Sequence, residues 1–285
     1  MEPGNPYRDS FPEPAGGQQL TRPSESDNIF SAPTPFSGPS PWTARNLVVI
    51  LGCGLLALVA ANFLTLAGFM ILQPLAKWKS HPEALRDNPF FLLSLQMVFH
   101  ALVLGVIYLF LVVNHGLPFW EALQWRRPTA RLARFCILGG VALAMLVELA
   151  PPLLPDRSDF PLQRMFSSPQ AAYAIGVFAI LIAPFMEELI FRGVLFCFFE
   201  DLVGWRFAIV GTGLLFAGLH LSEYWGAWNH VMLICIVGLA FSLTRGLTGS
   251  LAPCVILHTA YNAALMVGLY IQTDQFRAIP QSFTP

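Results

Sequence analysis

Three short stretches place ionisable or hydrogen-bonding side chains inside otherwise apolar segments. Residues 183–193, APFMEELIFRG, hold Glu187, Glu188 and Arg192. Residues 216–220, FAGLH, end at His220, and residues 258–262, HTAYN, hold His258 and Asn262. Ionisable groups within a hydrocarbon-spanning segment are costly, so they are usually paired, inward-facing and functional. Glu188 and Arg192 are four residues apart, the spacing that puts both on one helical face. An ion pair there lowers the cost of keeping both in a membrane. Glu187 points about 100° away on a helix of 3.6 residues per turn. It is therefore free to face a different cavity, where a carboxylate can serve as a general base toward water. Pro184 lacks an N–H and is expected to open the helix just before these residues. His258 and Asn262 also share a face and could donate two convergent hydrogen bonds to an oxyanion. His220 could help Glu187 hold and orient the water. A base, a second imidazole and a donor pair together make the parts of a hydrolytic site.

Each group also has a simpler reading. His220 alone reads as an interfacial or hydrogen-bonded histidine. Glu187, Glu188 and Arg192 alone read as a cluster locking a helix bundle, and His258 with Asn262 as partners of neighbouring carbonyls. The simpler readings lose ground when all three stretches occur together, because structural polar groups need only local partners. Other polar residues are expected to be structural. His100 and Glu148 read as satisfied polar groups within their apolar blocks. Glu223, Asn229 and His230 follow His220 beside Trp225 and Trp228, whose type suits a membrane interface near the mouth of a site. Ser250 precedes His258 by eight residues without a Gly-x-Ser-x-Gly elbow, so it is expected to cap the last helix rather than act as a nucleophile.

These side chains need helices to position them, and the apolar blocks supply about seven. They run at about Leu47–Leu72, Phe90–Val113, Leu132–Ala150, Ala171–Phe199, Phe207–His220, His230–Leu243 and Ser250–Ile271. A run of about 20 apolar residues crosses a hydrocarbon core of about 30 Å. The expected fold is all-α, a polytopic transmembrane helix bundle with a disordered N-terminal tail. Residues 1–43, rich in Pro, Gly, Ser and Gln, read as the tail, because such a segment cannot bury enough apolar surface to offset its chain entropy. Residues 44–285 read as the membrane-embedded domain, with the reactive stretches within 171–266. The first apolar run starts too far along the chain for a signal peptide.

Composition agrees. Of 285 residues, 55% are hydrophobic and 12% charged, against about 25% charged in soluble domains. Mean hydropathy is +0.59. The net charge of −1 and the absence of a basic run exclude nucleic acid as an expected partner. The expected partners are the membrane lipid bilayer and a membrane-associated peptide or protein. The five cysteines form no CxxC pair and read as small buried hydrophobes. Arg45 and the group Arg126, Arg127, Arg131 and Arg134 lie two crossings apart, hence on one side. Lys77, Lys79 and Arg86 lie on the other. The balance favours a cytoplasmic N-terminus, in a plasma (inner) membrane.

The three stretches, in this order, resemble the CPBP intramembrane proteases, the family of type II CAAX prenyl endopeptidases and bacteriocin-processing proteins. The family pattern is Glu-Glu-x-x-x-Arg, Phe-x-x-x-His and His-x-x-x-Asn. It is matched by Glu187, Glu188 and Arg192, by Phe216 and His220, and by His258 and Asn262. The Thr248-Gly249-Ser250-Leu251 turn is similar too. The resemblance covers about 171–266 and leaves the first two helices and the tail untouched. It implies an all-helical fold with a cavity opening into the bilayer. It implies that Glu187, assisted by His220, activates water, that His258 and Asn262 stabilise the oxyanion, and that Glu188 and Arg192 organise the site. The substrate implied is a membrane-associated peptide or protein, with a lipidated CAAX-type chain as one candidate.

No cofactor is expected. Two histidines and a glutamate could bind zinc, but no His-Glu-x-x-His segment occurs, so a metal-free route is favoured. The alternative from another class is a non-catalytic scaffold or bacteriocin-immunity-type protein that uses the polar cluster structurally. A proton-coupled transporter ranks last, because no paired halves or repeated broken helices occur.

Overall fold

The computed structural model describes residues 40–76, 85, 88–150, 166, 168–222 and 224–278. The proposed tail through residue 39, the loop residues Lys77, Lys79 and Arg86, the Pro151-Pro152 pair and Glu223 lie outside the described residues. The described residues are helical, with no strand among them. In chain order the helices are α1 (Ala44–Ala76), α2 (Pro89–Tyr108), α3 (Phe119–Ala122), α4 (Ala130–Leu149), α5 (Pro169–Val177), α6 (Ala183–Glu188), α7 (Phe196–Val203), α8 (Trp205–Leu219), α9 (Trp228–Thr248) and α10 (Leu251–Gln272). α2 continues as a π-helix over Leu109–Asn114. α5, α6 and α7 form one continuous helical rod, joined by π-helical segments Phe178–Ile182 and Leu189–Leu195.

Among the described residues, six helices are long and apolar enough to cross a membrane, and Trp205–Leu219 is a shorter apolar one. These seven correspond to the seven expected apolar blocks. The largest boundary difference is at α9, which runs on to Thr248 instead of ending near Leu243. Arg245, beyond the expected end, is fully buried and bonded, and the helix continues past it.

Local signals set the helix starts. Asn88 Oδ1 accepts from the Phe90 and Phe91 amides, and Ser168 Oγ accepts from the Ala171 amide with Pro169 next in line. Each supplies an acceptor to otherwise unpaired first-turn donors. α9 ends at Gly249, in the left-handed region at φ 59°, where a glycine closes a helix at little steric cost. Ser250 occupies the N-cap position of α10, but its hydroxyl does not cap. It pairs instead with the Arg126 backbone, accepting from the amide and donating to the carbonyl. The loop's Gln124 carbonyl takes the Leu251 amide.

The outer faces are apolar: Val48, Leu55, Phe63, Leu138 and Leu149 are each well exposed. Lipid solvates such faces as well as another side chain does, so helix association must come from close packing and polar bonds. Two contacts show it. A Cβ at Gly140 on α4 would come within 2.4 Å of the Leu257 carbonyl oxygen on α10. A Cβ at Gly238 on α9 would lie 2.8 Å from the Gly213 carbonyl oxygen on α8. The rod of α5–α7 is the most buried span, and α1 is the least buried.

Gly140→Ala therefore forces two backbones apart and should cost about 1–3 kcal/mol. Gly105→Ala, where a Cβ meets open space, should be neutral or slightly stabilising. Thermal unfolding of the two variants in detergent micelles tests the contrast.

Candidate active site

The Pro169–Val203 rod brings the two glutamates to the centre of the bundle. Glu188 points inward and is fully buried, while the Glu187 side chain keeps 27% of its exposure. Glu188 Oε1 accepts from Arg192 Nη1 at 2.9 Å, one turn along and equally buried. The same oxygen lies 2.8 Å from His258 Nδ1 on α10. Arg192 Nη2 donates to the Gly238 carbonyl at 2.7 Å and to Ser242 Oγ at 3.2 Å, and Ser242 is bonded in turn to Thr212. The guanidinium carbon sits 4.9 Å from the Phe216 ring centre and 5.4 Å from that of Phe241. Aromatic faces beside a desolvated guanidinium are attractive. One motif arginine thus ties α8, α9 and the central rod together.

The expected ion pair of Glu188 and Arg192 is present. His258 joins it and is held against Phe241, with ring centres 4.3 Å apart. Its bond to a carboxylate makes Nδ1 the donor and turns Nε2 toward Glu187, whose Oε2 is 3.8 Å away. His220 is the C-cap of α8, and its Nδ1 lies 2.8 Å from the Phe216 carbonyl. A carbonyl only accepts, so Nδ1 carries the proton and Nε2 offers a lone pair.

The two π-helical segments explain two further bonds. The Ala183 amide pairs with Phe178 O, five residues back, so the next carbonyl, Ala179, faces Pro184, which has no N–H. Asn262 Nδ2 donates to Ala179 O at 2.7 Å and replaces the missing donor. After Leu189–Leu195, the Phe196 amide pairs with Phe191 O. Returning to ordinary α pairing skips the next carbonyl, that of Arg192, and Arg245 Nε donates to it at 3.0 Å. Such π segments often mark functional sites.

Arg245 stands out as a residue the motif reading omitted. It is fully buried, its Nη2 donates to Gln124 Oε1 at 2.7 Å and contacts Cys197 Sγ at 3.3 Å, and it lies over the Phe196 ring. The sequence signal was available: an arginine 18 residues into a 21-residue apolar helix, in a segment read as ending earlier.

Glu187 and His220 line one cavity of about 440 Å³. Its other walls come from α1 and α2, including Leu51, Leu55, Gln96 and His100. Leu51 and Leu55 are themselves exposed on the outer face of α1, so the cavity reaches the lipid-facing surface. His258 on α10 reaches within 3.8 Å of Glu187, but neither His258 nor Asn262 is among the residues lining this cavity. Among the described residues, no group of three or more His, Cys, Asp or Glu side chains is arranged to hold a metal ion. His100 is not the satisfied polar group expected. Its ring stacks on Phe178 at 5.6 Å and 5°, and its Nδ1 is buried without a partner. The indoles of Trp225 and Trp228 are exposed, as an interface position requires.

Residues 169–264 match the family model of type II CAAX prenyl endopeptidase, Rce1-like proteins. This segment is Rce1-like. It contains all seven motif residues and nearly coincides with the 171–266 region singled out by the motifs. The match supports a CPBP family membrane protease, in a multi-pass integral membrane protein. No curated protein and no solved structure matches the chain. The Rce1-like segment supplies Glu187 and His220 to the cavity, whereas the α1 and α2 walls lie outside it.

Breaking the buried pair from one side strands a charge. Arg192→Met should cost about 3–5 kcal/mol, and adding Glu188→Met should recover part of the loss. A double-mutant cycle on thermal unfolding in micelles measures the coupling.

Proposed function

We propose that the chain is an intramembrane endopeptidase that hydrolyses a peptide bond of a membrane-associated substrate, with a CAAX-type lipidated chain as the first candidate. The reading rests above all on the division between the two glutamates. Glu188 is spent on Arg192 and His258, while Glu187 is left at a cavity that reaches the lipid-facing surface.

Glu187 takes a proton from water as the water oxygen bonds to the substrate carbonyl carbon. The His220 Nε2 lone pair accepts the second water hydrogen and fixes the water's direction. The tetrahedral oxyanion then needs donors. One amide hydrogen of Asn262 is committed to Ala179 O, and the second is left to give. His258 can donate from Nε2 only as an imidazolium, since Nδ1–H already serves Glu188. Collapse breaks the C–N bond, and Glu187 returns its proton to the leaving amine. Glu188 and Arg192 hold His258 and the central rod in place. The route draws on no metal.

The N-terminus is assigned to the cytoplasm of a plasma (inner) membrane, on the Arg45 and Arg126–Arg134 side. A scaffold reading draws on the same bonds that tie Arg192 and Asn262 to backbone carbonyls.

Glu187→Gln should lower cleavage by about 100-fold or more while leaving the protein folded. New peptide termini are compared in membranes of cells with wild type and the variant at matched expression. Termini specific to wild type support the peptidase and name its substrate. Identical sets, with both proteins folded, favour the scaffold.

A further inference from the structure

Across the cavity from Glu187 and His220, α2 presents two polar side chains, Gln96 and His100. They lie within the long apolar helix of Pro89–Asn114, with His100 near its midpoint. His100 is only 5% exposed, yet its Nδ1 has no hydrogen-bond partner. An unpaired polar atom in such a setting is costly, and native proteins seldom leave one without reason. Stacking on Phe178 fixes the ring plane, so the imidazole is held ready rather than free to turn away.

A peptide entering this cavity brings its own unmet needs. Each peptide unit carries an N–H and a C=O that lose water on entry. The scissile carbonyl is served by the catalytic groups, and its neighbours are not. Gln96 and His100 are one helical turn apart, with Cβ atoms about 5–6 Å from each other. Peptide units two residues apart on one side of an extended chain repeat at about 6.6 Å. The two spacings are close enough for one extended backbone to meet both side chains. Gln96 both donates and accepts, as a peptide group does, and neutral imidazole does the same through its two nitrogens.

We propose that Gln96 and His100 on α2 form a substrate-backbone binding edge facing Glu187 and His220, and that His100 is its anchor. The proposal rests on the peptidase reading and extends it outside the Rce1-like segment. It makes α2 the element that orients an extended peptide across the catalytic carboxylate.

The test uses the full-length protein in lipid nanodiscs and a fluorescent tetrapeptide whose cysteine bears S-farnesyl. Cleavage is followed in the wild-type background, and binding by anisotropy in the Glu187→Gln background. His100→Phe keeps the stack on Phe178 but removes both nitrogens. It should raise KM, and Kd in the Glu187→Gln background, about tenfold, with kcat within about twofold. His100→Asn, which restores an amide near the Nδ1 position, should bring both back to within about threefold of wild type. Gln96→Leu should weaken binding less. Unchanged Kd and KM in a folded His100→Phe variant overturn this proposal and leave the peptidase reading standing. An equal loss in His100→Phe and His100→Asn also overturns it, because that pattern marks a packing role. If the peptide is neither bound nor cut by any variant, the peptidase reading falls and this proposal falls with it.

Discussion

The buried pair of Glu188 and Arg192 is the constraint on which the rest of this bundle depends. Two full charges without solvent access need partners; Glu188 Oε1 and both Arg192 Nη atoms have them, while Glu188 Oε2 and Arg192 Nε are buried without one. The partners are recruited from three directions. His258 on α10 meets Glu188, the Gly238 carbonyl and Ser242 on α9 meet Arg192, and Phe216 on α8 covers the guanidinium. Gly238 has to be small for α8 and α9 to approach closely enough, and its carbonyl is also the Arg192 acceptor. One steric requirement and one electrostatic requirement thus converge on the same residue.

The central rod gains its chemistry by departing from regular α pairing. Each π-helical segment leaves one backbone carbonyl without its usual donor, and each time a polar side chain from a later helix fills the gap. Asn262 and Arg245 are accordingly ties between the rod and the helices packed on it. The ties hold the rod while the paired glutamates face different ways. Glu188 enters the core and Glu187 enters the cavity.

The cavity is a joint product of two parts of the chain. The Rce1-like segment provides the carboxylate and the His220 imidazole, and α1 and α2 close the opposite side. The α1 wall is apolar and lipid-exposed, while α2 contributes His100 and Gln96.

The sequence by itself determined a great deal. Apolar run lengths specified a membrane-spanning helical bundle, since twenty apolar residues have no other solvent that suits them. The spacing of Glu188 and Arg192 determined their pairing, because four residues is one helical turn. The three motifs identified seven residues, all of which fall within the Rce1-like match. Only the tertiary structure decided the rest. It showed Arg245 buried within α9, beyond the Leu243 end that the apolar pattern gave that helix. It showed Ser250 bonding the Arg126 backbone instead of capping α10. It assigned Asn262 to a carbonyl that Pro184 leaves unpaired, and it left His100 unsatisfied at the cavity wall. The physical reason is common to all four. Periodicity reports which face of a helix a residue occupies, but a polar atom's partner is set by which other helix lies against that face. That is a long-range fact, settled by packing between segments many residues apart.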